Sequence, residues 1–264
     1  MLKLILPQDS RPVKGCQRGD SKKPYVNIKV YRYNADNNPP KIDSYKIETD
    51  KSMTVLCALN KIKESLDPTL SYRKSCREGS CGSCAMNINK KNGLACTTRL
   101  SDLGKEVEIY PLPHMFVVKD LICDMSNFYK QYEALKPWFA TEQNNCSKNN
   151  KTSLQKESIQ TQEDRSKLDG LYECVMCGAC STQCPSYWWN TENFAGPAAL
   201  LSALRFIEDS RDSQQKEDRL SLVDSIGGIK HCHSIFSCTT ACPKGLNTAD
   251  AIAKLSQIVK KNKK

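Results

Sequence analysis

The chain has 264 residues, with 39 Lys and Arg against 29 Asp and Glu and a formal net charge of +10. This length exceeds one average domain and allows two modest hydrophobic cores. No segment approaches the roughly 20 apolar residues of a membrane-spanning helix, and the lysines do not interleave with aromatic residues as in a platform for single-stranded nucleic acid. The excess of basic residues instead suits binding to acidic protein partners or anionic lipid headgroups.

Residues 1–24 are polar and interrupted by proline and glycine. They lack the Arg-rich, acid-poor pattern of a transit peptide, and we interpret them as a mature N-terminal extension. From Tyr25 to Val30 apolar residues alternate with polar ones, as they do again in residues 44–48. This alternation predicts two strands, and the Asn-Asn-Pro-Pro sequence at residues 37–40 predicts the turn between them.

A helix is predicted next, preceded by Thr54 and extending through Leu66, because apolar residues recur at helical spacing until Asp67-Pro68 ends the pattern. Beyond a cysteine-rich loop, the sequence predicts a strand at Met86–Ile88, a turn at Asn92-Gly93 and a strand at residues 107–110. These elements predict a small mixed sheet with one helix.

The second half of the sequence has helical patterns separated by cysteine loops. Helices are predicted at Phe128–Leu135, Pro197–Glu208 and Thr248–Val259. Residues 141–167 are mostly Asn, Gln, Lys, Ser and Glu, which predicts an exposed loop. The apolar segment at residues 196–207 is about half as long as a membrane helix, and we expect it to form an assembly surface.

Eleven of the 15 cysteines form three blocks, of which the first is spaced C-x4-C-x2-C-x11-C. This is the plant-type pattern for a [2Fe-2S] cluster. Gly79 and Gly82 lie between these cysteines, where a residue without Cβ lets the chain fold tightly and turn backbone N–H groups toward the cluster sulfurs. The predicted ligands of the [2Fe-2S] cluster are Cys76, Cys81, Cys84 and Cys96.

The second block is spaced C-x2-C-x2-C-x3-C-P, and the third matches it at every cysteine except the second, where Ile235 stands. In bacterial two-cluster ferredoxins the last cysteine of each block binds the other block's cluster. Counted in this way, one set has four thiolates and the other has three, because Ile235 offers no ligand. The set of four, which predicts a [4Fe-4S] cluster, is Cys174, Cys177, Cys180 and Cys242. The set of three, which predicts a [3Fe-4S] cluster, is Cys184, Cys232 and Cys238.

The elements and the cysteine blocks together predict an α+β fold with two domains. Residues 25–125 form the predicted plant-type ferredoxin domain, a β-grasp fold, which follows the extension at residues 1–24. Residues 126–264 form the predicted all-α, bacterial-ferredoxin-like domain, which holds two clusters and contains the loop at residues 141–167.

Zinc also binds paired C-x2-C motifs, so a zinc-stabilised binding module is an alternative, although a three-thiolate set with Ile235 completes no tetrahedron. The visible absorption spectrum or the iron-to-zinc ratio distinguishes the two. Disulfides require an oxidising compartment, and no apolar signal-peptide core precedes the chain. Among the other cysteines, Cys57 and Cys123 lie in apolar stretches and are predicted to be core thiols, whereas Cys16 and Cys146 lie in polar segments and receive no role.

Four segments closely resemble one family, the iron–sulfur subunits of succinate dehydrogenase, or respiratory complex II, with those of fumarate reductase as near relatives. The resemblance runs from about Tyr25 to the C-terminus and is weaker at residues 141–167. It departs from many members of the family at His231, where they carry Arg. The four segments are Ser75–Met86, Leu168–Cys174, Cys184–Trp189 and His231–Ile235.

The resemblance implies an electron-transfer subunit of the tricarboxylic acid cycle and respiratory chain, with no catalytic residue of its own. A partner flavoprotein with covalent FAD would oxidise succinate, and electrons would pass through the [2Fe-2S], [4Fe-4S] and [3Fe-4S] clusters to ubiquinone. The ubiquinone site would be shared with membrane-anchor subunits. The chain would lie on the matrix side of the mitochondrial inner membrane or the cytoplasmic side of a bacterial inner membrane. A fumarate reductase, running in reverse, is the alternative.

The predicted quinone-binding residues flank ligands of the [3Fe-4S] cluster. An indole or imidazole beside apolar side chains suits a flat quinone head with two carbonyl acceptors. The pair Trp188-Trp189 also favours fixed assembly over a soluble ferredoxin that shuttles electrons, and a plain interface or core role for this pair is the alternative. The predicted quinone-binding residues are Pro185, Ser186, Trp188, Trp189, His233 and Ile235.

Overall fold

The structure, a computed structural model, describes residues 10–12, 24–35, 37–140, 158–212, 216–225 and 227–263. The chain divides into two compact units. The first unit contains the residues up to Met125 together with Val175–Gln183 and Ala241–Pro243. The second unit contains Ser126–Cys174, Cys184–Thr240 and the residues from Lys244 onward. Two short segments from the cysteine blocks of the second half of the sequence therefore belong to the first unit.

Within the described residues, the first unit holds a mixed sheet of eight strands. These are β1 Ser10–Pro12, β2 Tyr25–Asn34, β3 Asn37–Glu48, β4 Ala85–Ile88, β5 Lys91–Leu94, β6 Glu106–Tyr110, β7 Val117–Lys119 and β8 Ile122–Cys123. The main path runs β1-β3-β2-β6-β4-β5, and β7 pairs with β2 and with β8. β2 is antiparallel to β3 and parallel to β6, with Val30 between Asp43 and Ile109.

The core of the first unit is built from this sheet and from helix α1, Val55–Ser65. Val26, Ile28 and Val30 are all buried. The predicted alternation of β2 is therefore confirmed, because successive side chains of a strand point to opposite faces of its sheet.

Helix α1 begins and ends where the sequence predicts. Thr54 caps it, since the Oγ1 of Thr54 accepts a hydrogen bond from the N–H of Cys57 at 3.3 Å, and Leu66 is its C-cap residue. The prediction of a core thiol is confirmed for Cys123, which is buried, and is wrong for Cys57, which is exposed. Cys57 is not part of the buried face of the helix, which consists of Val55, Leu56, Ala58, Leu59 and Ile62.

The first predicted turn was misplaced. Residues 37–40 lie in β3 rather than in a turn, and the chain reverses just before them, with Asn34 paired to Asn37. Pro39 and Pro40 have no backbone N–H to donate to a neighbouring strand. They therefore suit strand positions at which one edge of the strand is unpaired. Among the described residues, β1 pairs with β3 from Ile42 to Ser44, beyond both prolines.

The second predicted turn was also misplaced. Asn92 and Gly93 lie in β5, where Gly93 pairs with Met86. The reversal is made by Asn89 and Lys90, whose φ values of 48° and 67° are both left-handed. A two-residue hairpin turn needs such values because they match the twist of the flanking strands.

In the described residues of the second unit the regular elements are helices. They are α2 Ser126–Ala134, α3 Gln162–Ser166, α5 Pro185–Trp189, α6 Gly196–Glu208, α7 Lys216–Asp224, α8 Ser237–Thr240 and α9 Thr248–Asn262, while α4 Ala179–Thr182 belongs to the first unit. The three predicted helices of this half are present as α2, α6 and α9. The prediction of a loop at residues 141–167 is wrong at its C-terminal end, where Thr161 caps α3. Residues 141–157 lie outside the described part.

Helix α6 forms the core of the second unit. Every residue from Gly196 to Leu204 is buried, as are Phe206 and Ile207. The helix packs against α2, α7 and α9. The expectation that this segment forms an assembly surface is therefore wrong, since a helix that is apolar on all sides is one that its own fold buries.

Candidate functional site

The loop between α1 and β4 carries three cysteines of the first block. Its backbone is left-handed at Arg77, Gly79 and Gly82, where φ is 66°, 79° and 71°. Glycine adopts this conformation freely, whereas a residue with a Cβ does so at a cost of about 1–2 kcal/mol. A Cβ at Gly79 would also lie 2.9 Å from Cγ2 of Thr97. The tight path of this loop therefore depends on glycine.

Backbone N–H groups of the same loop are aimed at sulfur atoms. The N–H of Ser80 donates to Sγ of Cys76 at 3.2 Å, and the N–H of Ser83 donates to Sγ of Cys81 at 3.4 Å. Hydrogen bonds from Ser83 and Cys76 lower the pKa of Cys81 to about 6. Cys81 therefore favours the thiolate, which is the form that binds metals.

The other two cysteines of the first block are buried. The pairing of β4 with β5 brings Cys84 and Cys96 together, since Ala85 lies opposite Leu94. Burial raises the pKa of Cys84 to about 12, so a thiolate at this position needs a positive partner such as iron. Hydrogen bonds and electrostatic interactions connect the thiols in sequence: Cys76 to Cys81, Cys81 to Cys84, and Cys84 to Cys96. The donor set fits a [2Fe-2S] cluster.

The cysteines predicted to bind the [4Fe-4S] cluster are distributed over both units. Cys177, Cys180 and Cys242 belong to the first unit, and Cys174 belongs to the second. Gly178, with a left-handed φ of 79°, is the N-cap residue of α4, which carries the buried Cys180. The first unit therefore supplies three of the four predicted thiolates.

The cysteines predicted to bind the [3Fe-4S] cluster line one cavity of about 300 Å³ in the second unit. Cys184 is the N-cap residue of α5, Cys232 follows a 3-10 turn and Cys238 lies in α8. Burial raises the pKa of Cys238, and so do the neighbouring Cys184 and Cys232 thiols. Ile235 lines the same cavity. The structure thus brings together three thiols and the apolar side chain that replaces a fourth.

Two further predicted quinone-binding residues line this cavity. They are Ser186 and His233. Ser186 is only 4% exposed, and its Oγ has no hydrogen-bond partner in the described part of the chain. An unpartnered buried hydroxyl costs about 1–3 kcal/mol, so Ser186 is suited to hydrogen bond with a bound group.

The remaining predicted quinone-binding residues are not part of the cavity lining. Pro185 is the first residue of α5, and Trp188 and Trp189 lie near its end. Trp188 is half-buried, whereas Trp189 is 72% exposed. Three of the predicted residues, Ser186, His233 and Ile235, therefore lie on the cavity wall, whereas the exposed indole of Trp189 does not.

Sequence reasoning missed several residues of the cavity wall. Phe236 follows Ile235 directly and has a left-handed φ of 65°, which is unusual for a bulky residue and typical of functional loops. Helix α9 contributes Ser256 and Lys260. Their spacing from Ile252, four and eight residues along a helix, was the available signal, because residues at this spacing share one face.

Thiols grouped around a loop, with N–H groups aimed at sulfur, are typical of iron–sulfur ligation. The fold and these sites define the class: an iron–sulfur protein with a ferredoxin-like arrangement of two domains.

The comparisons with known proteins agree with this class. Residues 27–130 match the family model described as a 2Fe-2S iron-sulfur cluster binding domain. Residues 170–246 match the model described as a 4Fe-4S dicluster domain. The two matches cover the three cysteine blocks.

The relatives identify the family. The chain is 47% identical to the succinate dehydrogenase iron-sulfur subunit of Paracoccus denitrificans, over 98% of both chains. It is 46% identical to the mitochondrial succinate dehydrogenase [ubiquinone] iron-sulfur subunit of Dictyostelium discoideum, over 96% of this chain and 89% of that protein. The chain belongs to the family of succinate dehydrogenase iron–sulfur subunits, whose role is electron transfer.

Solved structures support the fold. A chain of the Mycobacterium smegmatis Sdh1 complex in the apo form superposes with a TM-score of 0.79 at 25% identity, covering 91% of this chain and 98% of that one. A hypothetical protein from Helicobacter pylori shares the fold with a TM-score of 0.54 at 17% identity, over 91% of this chain and 41% of that one. Within the described residues, no helix has the length and apolar character needed to cross a membrane.

Proposed function

We propose that this chain carries electrons from the FAD of a succinate-oxidising flavoprotein to ubiquinone through three different clusters. The ligands are the three cysteine sets given above, with a [3Fe-4S] cluster at the end of the path. The two relatives given above are named as succinate dehydrogenase iron–sulfur subunits, and one is mitochondrial and the other bacterial. They lend no support to the alternative of a fumarate reductase.

One observation carries this proposal: Cys184, Cys232 and Cys238 line the same cavity as Ile235. Three thiolates match the three irons of a [3Fe-4S] cluster, and the Ile235 side chain cannot bind a fourth. The family model that matches residues 170–246 is described as a 4Fe-4S dicluster domain. The ligand count of this chain instead favours one [4Fe-4S] cluster and one [3Fe-4S] cluster.

The residues of the second unit have separate tasks in this mechanism. When bound, the clusters supply one-electron steps, two of which reduce a quinone that also takes up two protons. Ser186, whose buried hydroxyl has no partner within the described residues, donates a hydrogen bond to a quinone carbonyl. The exposed His233 at the cavity offers the second hydrogen bond and holds a proton for transfer. Ile235 and Phe236 provide apolar contacts for the ring.

The surface beside the cavity fits a membrane-anchor partner. Ile235 and Phe236 line the cavity and are 45% and 60% exposed. Trp189 is 72% exposed and lies in α5, whose N-cap residue Cys184 also lines the cavity. Neighbouring exposed aromatic and aliphatic side chains mark interaction sites. We place the anchor subunits here, with ubiquinone between them and this chain, on the matrix side of a mitochondrial or the cytoplasmic side of a bacterial inner membrane.

The test is a pair of activity assays on the purified complex. We expect Trp189→Ala or His233→Ala to lower succinate-driven ubiquinone reduction roughly twofold to tenfold. His233→Ala removes one hydrogen bond to the bound quinone, and Trp189→Ala weakens the contact with the anchor subunits that complete the site. Succinate oxidation by an artificial acceptor that takes electrons upstream should be unchanged. Trp138→Ala is the matched control, since Trp138 is an exposed indole of the same unit outside the cavity.

Equal losses in both assays would contradict the proposed quinone site and favour a structural role for these residues. The iron-to-zinc ratio and the visible absorption of the same preparation test the cluster assignment separately. A protein rich in zinc and poor in iron would support the zinc-stabilised module instead.

A further inference from the structure

Gly82 lies where two cluster-binding segments of the first unit touch. It belongs to the loop of the first cysteine block and has a left-handed φ of 71°. A Cβ at this position would lie 2.6 Å from the carbonyl oxygen of Val175 and 3.0 Å from both Cα and Cβ of Cys177. These atoms are backbone or next to it, so they cannot swing aside as a flexible side chain can. The missing side chain of Gly82 is therefore what allows this close approach.

A second contact holds the segment that contains Cys177 and Cys180 against strand β5. Asn92 of β5 is buried, and its Nδ2 donates to the carbonyl oxygen of Ala179 at 3.1 Å and to Oγ1 of Thr182 at 3.0 Å. Both acceptors lie in α4, next to the predicted ligand Cys180. Cys177 also packs against the core of the first unit. The backbone around Cys177 and Cys180 is therefore fixed against the sheet that carries the first cluster loop.

We propose that Gly82 is a positioning residue for electron transfer: its lack of a side chain lets the [2Fe-2S] loop lie directly against Cys177, and this contact, held by Asn92, sets the separation across which electrons pass to the [4Fe-4S] cluster. The inference rests on the proposed ligand sets. It differs from them because it assigns a role to a residue that binds no iron. A methyl group at this point would push the two segments apart without removing a ligand.

The experiment compares Gly82→Ala with Gly104→Ala in the assembled complex. Gly104 is the matched control because it lies in the same unit with a similar left-handed φ of 86°, while a Cβ there would meet no atom within 4 Å. Iron content and electron paramagnetic resonance of the unmodified complex first verify the clusters themselves. The decisive measurement is the magnetic coupling between the reduced [2Fe-2S] and [4Fe-4S] clusters, read as faster spin relaxation of the [2Fe-2S] signal.

We expect Gly82→Ala to retain both clusters and to lose part of this relaxation enhancement, whereas Gly104→Ala retains it. Selective loss of the [4Fe-4S] cluster in Gly82→Ala would also support the inference, because the clash is with Cys177. Unchanged coupling with both clusters present, or loss of the [2Fe-2S] cluster alone, would overturn it. If Gly82→Ala does not assemble, Asn92→Ala decides: weaker coupling supports the role of this contact, and unchanged coupling refutes it.

Discussion

At the scale of single residues, Ile235 decides between two kinds of cluster in the proposed function. It lines the cavity of Cys184, Cys232 and Cys238 and takes the place of the cysteine that the regular spacing would have. In this proposal, the identity of one side chain sets the number of irons that the second unit can hold at this site.

Ile235→Cys should therefore convert the three-iron cluster into a four-iron cluster, because it restores the fourth thiolate at the regular spacing. Electron paramagnetic resonance of the air-oxidised protein should lose the three-iron signal. Ile252→Cys is a suitable control, since Ile252 lines the same cavity but lies outside the cysteine block. An unchanged three-iron signal in Ile235→Cys would refute the ligand count.

A second residue with a large individual effect is Asp67 of the first unit. Burial raises the pKa of this carboxyl group, but hydrogen bonds from Thr69, Tyr45 and Arg32 outweigh burial and hold the pKa well below the ordinary value of 3.8. Because its folded-state pKa is depressed, Asp67 stabilises the fold above its unfolded-state pKa. That contribution is lost as the pH falls from about 4 toward the folded-state pKa.

Asp67→Asn should accordingly lower the free energy of unfolding at pH 7, and the difference from the unmodified protein should shrink below about pH 4. Guanidinium unfolding at several pH values measures this. Glu64→Gln removes the same charge from an exposed position and should have little effect. A difference between Asp67→Asn and the unmodified protein that does not change with pH would contradict the assigned cause.

At the scale of elements, a buried ion pair connects the helices of the second unit. Nη1 of Arg219, in α7, lies 2.5 Å from Oδ2 of Asp212, and both side chains are fully buried. Its Nε and Nη2 donate to the carbonyl oxygens of Lys136 and Trp138 at 2.9 and 2.6 Å. One side chain thus fixes α7 to the segment that follows α2 and to the segment that follows α6.

Arg219→Met should destabilise the second unit by about 3–5 kcal/mol, because it leaves Asp212 buried without its partner. Differential scanning calorimetry or denaturant unfolding would show this. Arg165→Met is the matched control: its ion pair with Asp169 is solvent-exposed, so its loss should have little effect on stability. Similar losses in both variants would mean that burial does not decide the contribution of this pair.

At the scale of the whole molecule, the three proposed clusters depend on different predicted ligand sets. The first block lies entirely in the first unit, and the three-thiolate set lies entirely in the second. Damage to one set should therefore interrupt the path without removing the remaining clusters.

Cys76→Ser should remove or alter the [2Fe-2S] signal, stop electron transfer from FAD to ubiquinone, and leave the [3Fe-4S] and [4Fe-4S] signals in place. Cys57→Ser, which changes an exposed thiol outside the blocks, should leave all three signals unchanged. Electron paramagnetic resonance and the quinone assay on the same samples test both expectations. Loss of all three clusters in Cys76→Ser would show that the sets do not assemble independently.

The sequence by itself determined the features that depend on local spacing. Alternation predicted β2, helical periodicity predicted α1, α6 and α9, and the cysteine blocks with Ile235 predicted the cluster types. Strand and helix periods and ligand spacings are properties of neighbouring residues, so they can be recognised from the sequence without knowledge of the fold. The family resemblance followed from the same local motifs, and the comparisons confirmed it.

Only the tertiary structure decided which residues meet across the chain. It buried α6 as core and left Cys57 in solvent, because the burial of a helix face depends on what packs against it. It brought Ser256 and Lys260 to the cavity of Cys184, and it placed Gly82 against Cys177. Contacts between distant segments are set by the packing of whole elements, which no local spacing encodes, and these contacts position the cluster-binding segments of each unit.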